Sequence, residues 1–163
     1  MGKSLIVYYS WPNGNTKKIA EMIQKAIGAD IVRIDTVIPY SGSCNDVVKQ
    51  GQDEVNRSYK PKIKPLGIDL ENYDTVITGT PTWWYTMAPA MLTFLISNNW
   101  TGKTVIPFMT NGGWPGHVIQ DMKKACKGAK FVHEKEIQFD SEGGDRMVTS
   151  QKELAEWIRS LKQ

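Results

Sequence analysis

Short apolar blocks alternate along this chain with segments whose apolar residues recur at helical spacing, and no other feature constrains the fold as strongly. Leu5-Ile6-Val7-Tyr8-Tyr9 is a continuous aliphatic and aromatic run, the pattern of a strand buried on both faces. Directly after it the period changes. Ile19, Ala20, Ile23, Ala26 and Ile27 fall on one side of a helix predicted over Asn15–Ile27, and Gly28 stands where a left-handed residue would end it. Further strands are predicted at Ile31–Asp35, Tyr73–Thr80, Lys103–Met109 and Phe131–Phe139. In the last of these His133 is expected on the inner face, hydrogen-bonded and structural, while Lys135 interrupts that face and marks an edge strand.

Helices are predicted between them. One begins near Pro89, with Met91, Leu92, Leu95 and Ile96 as its core face, and another carries Val118, Ile119, Met122, Ala125 and Cys126 up to Gly128. The last has a capping-box pair, Ser150 and Glu153, ahead of Leu154, Trp157, Ile158 and Leu161. The pattern is weakest from Thr36 to Leu70, where Gly51 interrupts a possible helix over Cys44–Arg57 and Pro61 and Pro65 break the chain into a polar connection. Strands joined by long helical crossovers require a parallel sheet with helices on both faces. At 163 residues, 40% of them hydrophobic, the chain is expected to form one domain, 1–163, around one sizeable core.

Ligands of such sheets bind beyond the carboxyl ends of the strands, where strand order reverses. Three loops share that position: Ser10–Thr16, Thr80–Pro89 and Thr110–His117. The first places backbone N–H groups and Ser and Thr hydroxyls at a helix N-terminus, has Gly14 for close approach and contains no Asp or Glu, which makes it a phosphate site. The alternative, a hairpin turn at Asn13-Gly14, fits poorly because a helix follows. Trp83, Trp84, Tyr85 and Trp114 offer flat faces for a planar ligand, and the backbone of Thr110, Asn111, Gly112 and Gly113 can satisfy its polar edge. The competing reading makes Trp83 and Trp84 core residues, but two adjacent indoles cannot both face one core from an extended loop. Trp11, Trp100 and Trp157 are weaker candidates, and Met87, Met91 and Met122 read as core filling.

Other classes have little to draw on. With only His117 and His133, metal-site and triad readings lack material. Cys44 and Cys126 have no metal or redox spacing and read as reduced bystanders. The net charge is +3, but the basic residues are scattered and no arginine cluster is interleaved with aromatics, which argues against nucleic acid. Gly2-Lys3-Ser4 has the ending of a nucleotide-triphosphate loop but precedes the strand and is discarded. No charged-then-apolar leader precedes the first strand, and the apolar stretch Met87–Ile96 is shorter than the roughly 20 residues a membrane span needs. A soluble, cytoplasmic protein without membrane contact is the expectation.

Ser10-x-x-x-Gly14-Asn15-Thr16 after the first strand, Gly79-Thr80-Pro81-Thr82-Trp83-Trp84 at the end of the third, and Lys103-Thr-Val-Ile-Pro-Phe-Met-Thr-Asn-Gly-Gly113 at the fourth resemble the short-chain flavodoxin-like proteins over nearly the whole domain. One departure is that Pro12-Asn13 stands where a single Thr is usual. The resemblance implies an α/β flavodoxin-like doubly wound three-layer sandwich with a five-stranded parallel sheet in the order 2-1-3-4-5. It implies FMN as cofactor. Ser10, Trp11, Asn13, Gly14, Asn15 and Thr16 would then surround its phosphate, while Pro81, Thr82, Trp83, Trp84, Tyr85, Thr110, Asn111, Gly112 and Gly113 sandwich its ring.

Three functional classes remain open: an FMN-dependent oxidoreductase acting on a quinone-like or other flat acceptor, an electron carrier docking to redox partner proteins, and a flavin-free phosphate-binding module without a signature of its own. The positive net charge, loops free of Asp and Glu, and Tyr85 where many relatives carry Gly, hindering a positive φ there, favour a two-electron reductase with Tyr85 and His117 facing the acceptor.

Overall fold

The continuous apolar run at the start of the chain is explained by what lies on either side of it. In the computed structural model, which describes residues 3–11, 14–38, 44–57, 59–141 and 144–162, strand β1 (Lys3–Tyr8) is central in a sheet. Leu5 and Val7 point into one core and Ile6 and Tyr8 into the other. Every side chain from Leu5 to Tyr8 is therefore buried, and burial of each aliphatic one is worth about 1.5–3 kcal/mol.

β1 pairs in parallel with β2 (Asp30–Arg33) on one side and β3 (Tyr73–Trp83) on the other, Leu5 lying opposite Asp30 and Val76. β3 ends in a tight hairpin with β4 (Thr86–Met87), the only antiparallel pair of strands among the described residues. Beyond β3 lies β5 (Thr104–Asn111), and outside it two short parallel strands, β6 (Lys130–Phe131) and β7 (Lys135–Gln138). The core order is thus the expected 2-1-3-4-5, with the expected fifth strand split and a short β4 added. The break comes at His133, which has φ 53 and is exposed, not on an inner face; its carbonyl accepts a hydrogen bond from Trp157 Nε1 at 2.6 Å.

Helices α1 (Asn15–Ile27) and α5 (Gln151–Ser160) cover one face through Ile19, Ile23, Leu154 and Trp157. On the other face α3 (Pro89–Ile96) and α4 (Val118–Ala125) pack through Met91, Leu95, Val118 and Met122. Ile96 is exposed and Phe94 takes the core place expected of it, closing edge-on against the fully buried Trp100 at 5.6 Å. α2 (Cys44–Asn56) forms in spite of Gly51, a position where a Cβ would stand 3.0 Å from the Trp83 ring. Ser150 caps α5, its Oγ accepting from Glu153 N at 3.1 Å, while the Glu153 carboxylate is engaged by Lys135.

After β7 the chain doubles back. Phe139 bridges Met147, Asp140 N–H donates to Arg146 O at 2.8 Å, and Gln138 O accepts from Val148 and Thr149, so a strap folds back on the carboxyl end of β7. Crossovers leave β1 in one direction and β3 in the other, which puts the switch point, with the ends of β1, β3 and β5, at one edge of the molecule.

Candidate functional site

At that edge the three loops are tied together by their small polar side chains. The Thr16 and Thr110 hydroxyls meet at 2.9 Å, fully buried, and join the first loop to the end of β5. Thr82 Oγ1 donates to Thr110 O at 3.1 Å, and Thr80 Oγ1 accepts from Ala88 N at 3.0 Å, which fixes β3 against β5 and closes the hairpin. Asn111 makes a local turn, its Oδ1 accepting from Gly113 N at 2.7 Å.

The first loop offers an anion cradle. Gly14 holds φ 76 at the N-cap of α1 and supplies no side-chain cap, and the first turn contains no acidic residue. Ser10 is buried; its Oγ accepts from Lys17 N at 3.2 Å and its carbonyl accepts from the Arg33 guanidinium at 3.0 Å, bringing a cation to the loop. Asn15 Nδ2 donates to Gly144 O at 3.1 Å, whereas Asn15 Oδ1 is buried without a partner, a cost of about 1–3 kcal/mol that a hydrogen-bond donor on a ligand would relieve. Asn13 lies outside the described residues.

Opposite this cradle, the loops enclose a cavity of about 670 Å³, a volume suited to a cofactor. Ser10, Trp11, Asn15, Thr16, Pro81, Thr82, Trp83, Trp84, Tyr85, Thr110, Asn111 and Gly112 all line it, together with Trp114. Gly14 and Gly113 lie beside it without lining it. The adjacent indoles divide. Trp83 is half-buried, edge-on to Tyr9 at 5.9 Å and to Trp11 at 6.3 Å, while Trp84, Tyr85 and Trp114 are 39%, 54% and 59% exposed.

Trp84 and Tyr85 form the two-residue turn between Trp83 and Thr86, at φ 50 and 69. Such values are normally those of Asn and Gly, and they cost a bulky residue roughly 1–2 kcal/mol each. Tyr85 therefore does not hinder a positive φ but holds one. The turn is retained because Gly116, at φ 58, lets the Tyr85 peptide approach so closely that a Cβ would lie 2.2 Å from its oxygen, and because His117 N–H donates to that oxygen at 2.8 Å. The His117 side chain points elsewhere, into a separate depression of about 410 Å³ behind the hairpin, where Nδ1 pairs with Asp121 Oδ2.

The strap was missed by sequence reasoning. Asp140, Ser141 and Gly144 line the cavity, so an acidic residue borders it although none occurs in the three loops. Arg146 approaches Asp140 at 4.0 Å. The available signal was a polar, glycine-bearing stretch at the carboxyl end of the fifth strand. Among the described residues no cluster of His, Cys, Asp and Glu could hold a metal ion, and no helix is long and apolar enough to cross a membrane.

The family described as Flavodoxin matches residues 3–161. The chain belongs to the flavodoxin family. Flavodoxin 1 of Salmonella typhimurium is 29% identical over 79 residues, 48% of this chain and 31% of that protein. The flavodoxin of Haemophilus influenzae is 30% identical over 84 residues, 52% of this chain and 34% of its own. The chain thus spans about a third of the length of the curated relatives it matches. Among solved structures, a candidate flavoprotein from Bacteroides eggerthii superposes with a TM-score of 0.78 at 26% identity, covering 100% of this chain and 99% of that one. A Lactobacillus acidophilus flavoprotein in complex with FMN superposes at 0.71 and 24% identity over 83% of this chain and 93% of its own. FMN is the cofactor of flavodoxins, and the cofactor expected from the sequence is the family's own.

Proposed function

We propose that this flavodoxin binds FMN in the cavity at the ends of β1, β3 and β5 and delivers electrons in pairs to a flat, quinone-like acceptor. The observation that carries the reading is the mouth of the cavity, where Trp84, Tyr85 and Trp114 leave large ring surfaces uncovered. Exposed aromatic faces around a concave site favour stacking of planar molecules.

The residues fit the cofactor. The Ser10 and Thr16 hydroxyls and the N-terminus of α1 would hold the phosphate, with Arg33 adding positive charge, while the orphaned Asn15 Oδ1 would accept from a ribityl hydroxyl. Trp84 and Trp114 would stack on the ring, and Thr110 to Gly112 would meet its polar edge. Bound FMN supplies a ring that accepts electrons from a reductant and releases them to an acceptor. The chain's own part is to exclude water with the Trp83–Trp11–Tyr9 cluster, to orient the acceptor on exposed Trp84 and Tyr85, and to offer the Tyr85 hydroxyl as a hydrogen-bond donor at the rim. His117 acts from behind the wall through its N–H bond to Tyr85.

A second reading, a one-electron carrier for a partner protein, is favoured by Asp140, whose carboxylate would oppose build-up of negative charge on the ring. Stepwise reduction followed by visible spectroscopy separates them. Direct conversion of the oxidised to the fully reduced spectrum supports the reductase; a stable half-reduced species that accumulates overturns it in favour of the carrier. Purified protein that takes up no FMN overturns both.

A further inference from the structure

The aromatic wall of the cavity is held from its far side. Thr86, the residue after the Trp84–Tyr85 turn, donates its hydroxyl to Asp121 Oδ2 at 2.5 Å. The same oxygen pairs with His117 Nδ1, and His117 N–H in turn holds the Tyr85 carbonyl at 2.8 Å. One carboxylate oxygen thus gathers both strings that restrain the turn. Asp121 belongs to the first turn of α4, where the helix dipole favours a negative charge, and its side chain is only 26% exposed. Neither Asp121 nor His117 lines the cavity; both face the depression behind the hairpin.

The turn needs such restraint. Trp84 and Tyr85 hold φ values that bulky residues leave unless neighbouring structure over-determines them. Local backbone hydrogen bonds close only a two-residue hairpin, and β4 is two residues long. The start of α4 adds three contacts: Gly116 against the Tyr85 peptide, the His117 N–H bond, and Asp121.

We propose that Asp121 is the positioning residue of this wall, holding Thr86 and His117 together so that Trp84 and Tyr85 stay turned toward the cavity and bind the flavin ring preorganised. The inference rests on the FMN reading of the cavity. Preorganisation is worth affinity because the ordering cost is met before the ligand arrives. Losing Asp121 frees the Thr86 hydroxyl and the His117 ring at once, while the sheet beneath keeps its own hydrogen bonds.

Four variants test it: Asp121→Ala, Asp121→Asn, Thr86→Val, and Thr86→Val with Asp121→Ala. In the cofactor-free protein, chymotrypsin cleavage after Trp84 and Tyr85, mapped by mass, is expected to accelerate several-fold in Asp121→Ala and to stay at the wild-type rate in Asp121→Asn, whose amide oxygen accepts both bonds. FMN titration is expected to show about a tenfold higher dissociation constant for Asp121→Ala, equivalent to roughly 1.4 kcal/mol, with an altered visible circular dichroism of the bound flavin. Asp121→Asn restores both readouts. The double variant is expected to be no worse than Asp121→Ala alone, because the two groups act as one unit. Wild-type cleavage and affinity in Asp121→Ala, failure of Asn to rescue, or additive losses in the double variant each overturn the proposal. A wild-type protein that binds no FMN defeats the functional reading instead, and the proteolysis arm still reads the clamp.

Discussion

Replacing Gly116 by Ala should dislocate the aromatic wall, and the structure sets the size of the effect. The new methyl carbon would lie 2.2 Å from Tyr85 O, 2.5 Å from its Cα and 2.7 Å from its carbonyl carbon, all backbone atoms that no rotamer change can move aside. At φ 58 the alanine also pays a left-handed penalty of about 1–2 kcal/mol. Relieving the clash shifts the Tyr85 peptide by about an ångström, which breaks its hydrogen bond from His117 N–H and removes about 1 kcal/mol more. The sum is about 2–3 kcal/mol, or roughly 4–12 °C in Tm for a domain of this size. Gly102→Ala is the control. That glycine has φ 80 with nothing within 4 Å of a built Cβ, so it suffers the backbone penalty alone, far from the cavity. Thermal unfolding of both variants, with FMN titration, should show the larger Tm loss and a weakened cofactor only in Gly116→Ala. Equal melting and wild-type FMN affinity in the two variants would refute the close approach as the determinant of the turn.

Trp84→Ala should weaken FMN by about 1 kcal/mol or more in a fluorescence titration, since an aromatic pair is worth roughly 0.5–1.5 kcal/mol beyond its area, and unchanged affinity would remove Trp84 from the sandwich. Gly14→Val should strip bound flavin while the sheet stays folded, because φ 76 disfavours a branched residue but a built Cβ meets nothing within 4 Å; full flavin occupancy would contradict the phosphate site. Alkaline conditions should destabilise the fold: burial raises the phenols of Tyr8 and Tyr9 and pushes the Cys126 thiol up to about 12. The unfolded chain then loses these protons first, so stability is whole below the ordinary thiol and phenol range, about pH 9–10, and falls as pH rises through it; urea midpoints that stay level from pH 8 to 11 would contradict this.

Much of the architecture was legible because period and burial coincide. The run Leu5–Tyr8 had to be a two-faced strand once helical spacing followed it, and Gly28, Ser150 and the three loop positions came from local chemistry that tertiary structure did not overrule. The missing parts are those that tertiary contacts decide. The Trp84–Tyr85 turn defies the residue preferences of its type, and only the bare backbone of Gly116, far along the chain, permits it. The break at His133 follows from a bond to an indole on the last helix, and the cavity-lining strap has no period to read. Asp140 escaped for the same reason, so a charge count over three loops leaves out an acidic residue that a fourth segment brings to the cavity.

That strap has a bearing on how the protein behaves in bulk. The same stretch that lines one side of the cavity also pairs with the carboxyl end of β7, where Gln138 O accepts from Val148 and Thr149, and Asn15 Nδ2 fastens it through Gly144 O. One stretch therefore serves both the cavity wall and the cover of a strand end. Removing the fastening, as in Asn15→Ala, should loosen the strap at that end, bare the end of a strand that a second chain can extend, and raise the tendency to self-associate on concentration.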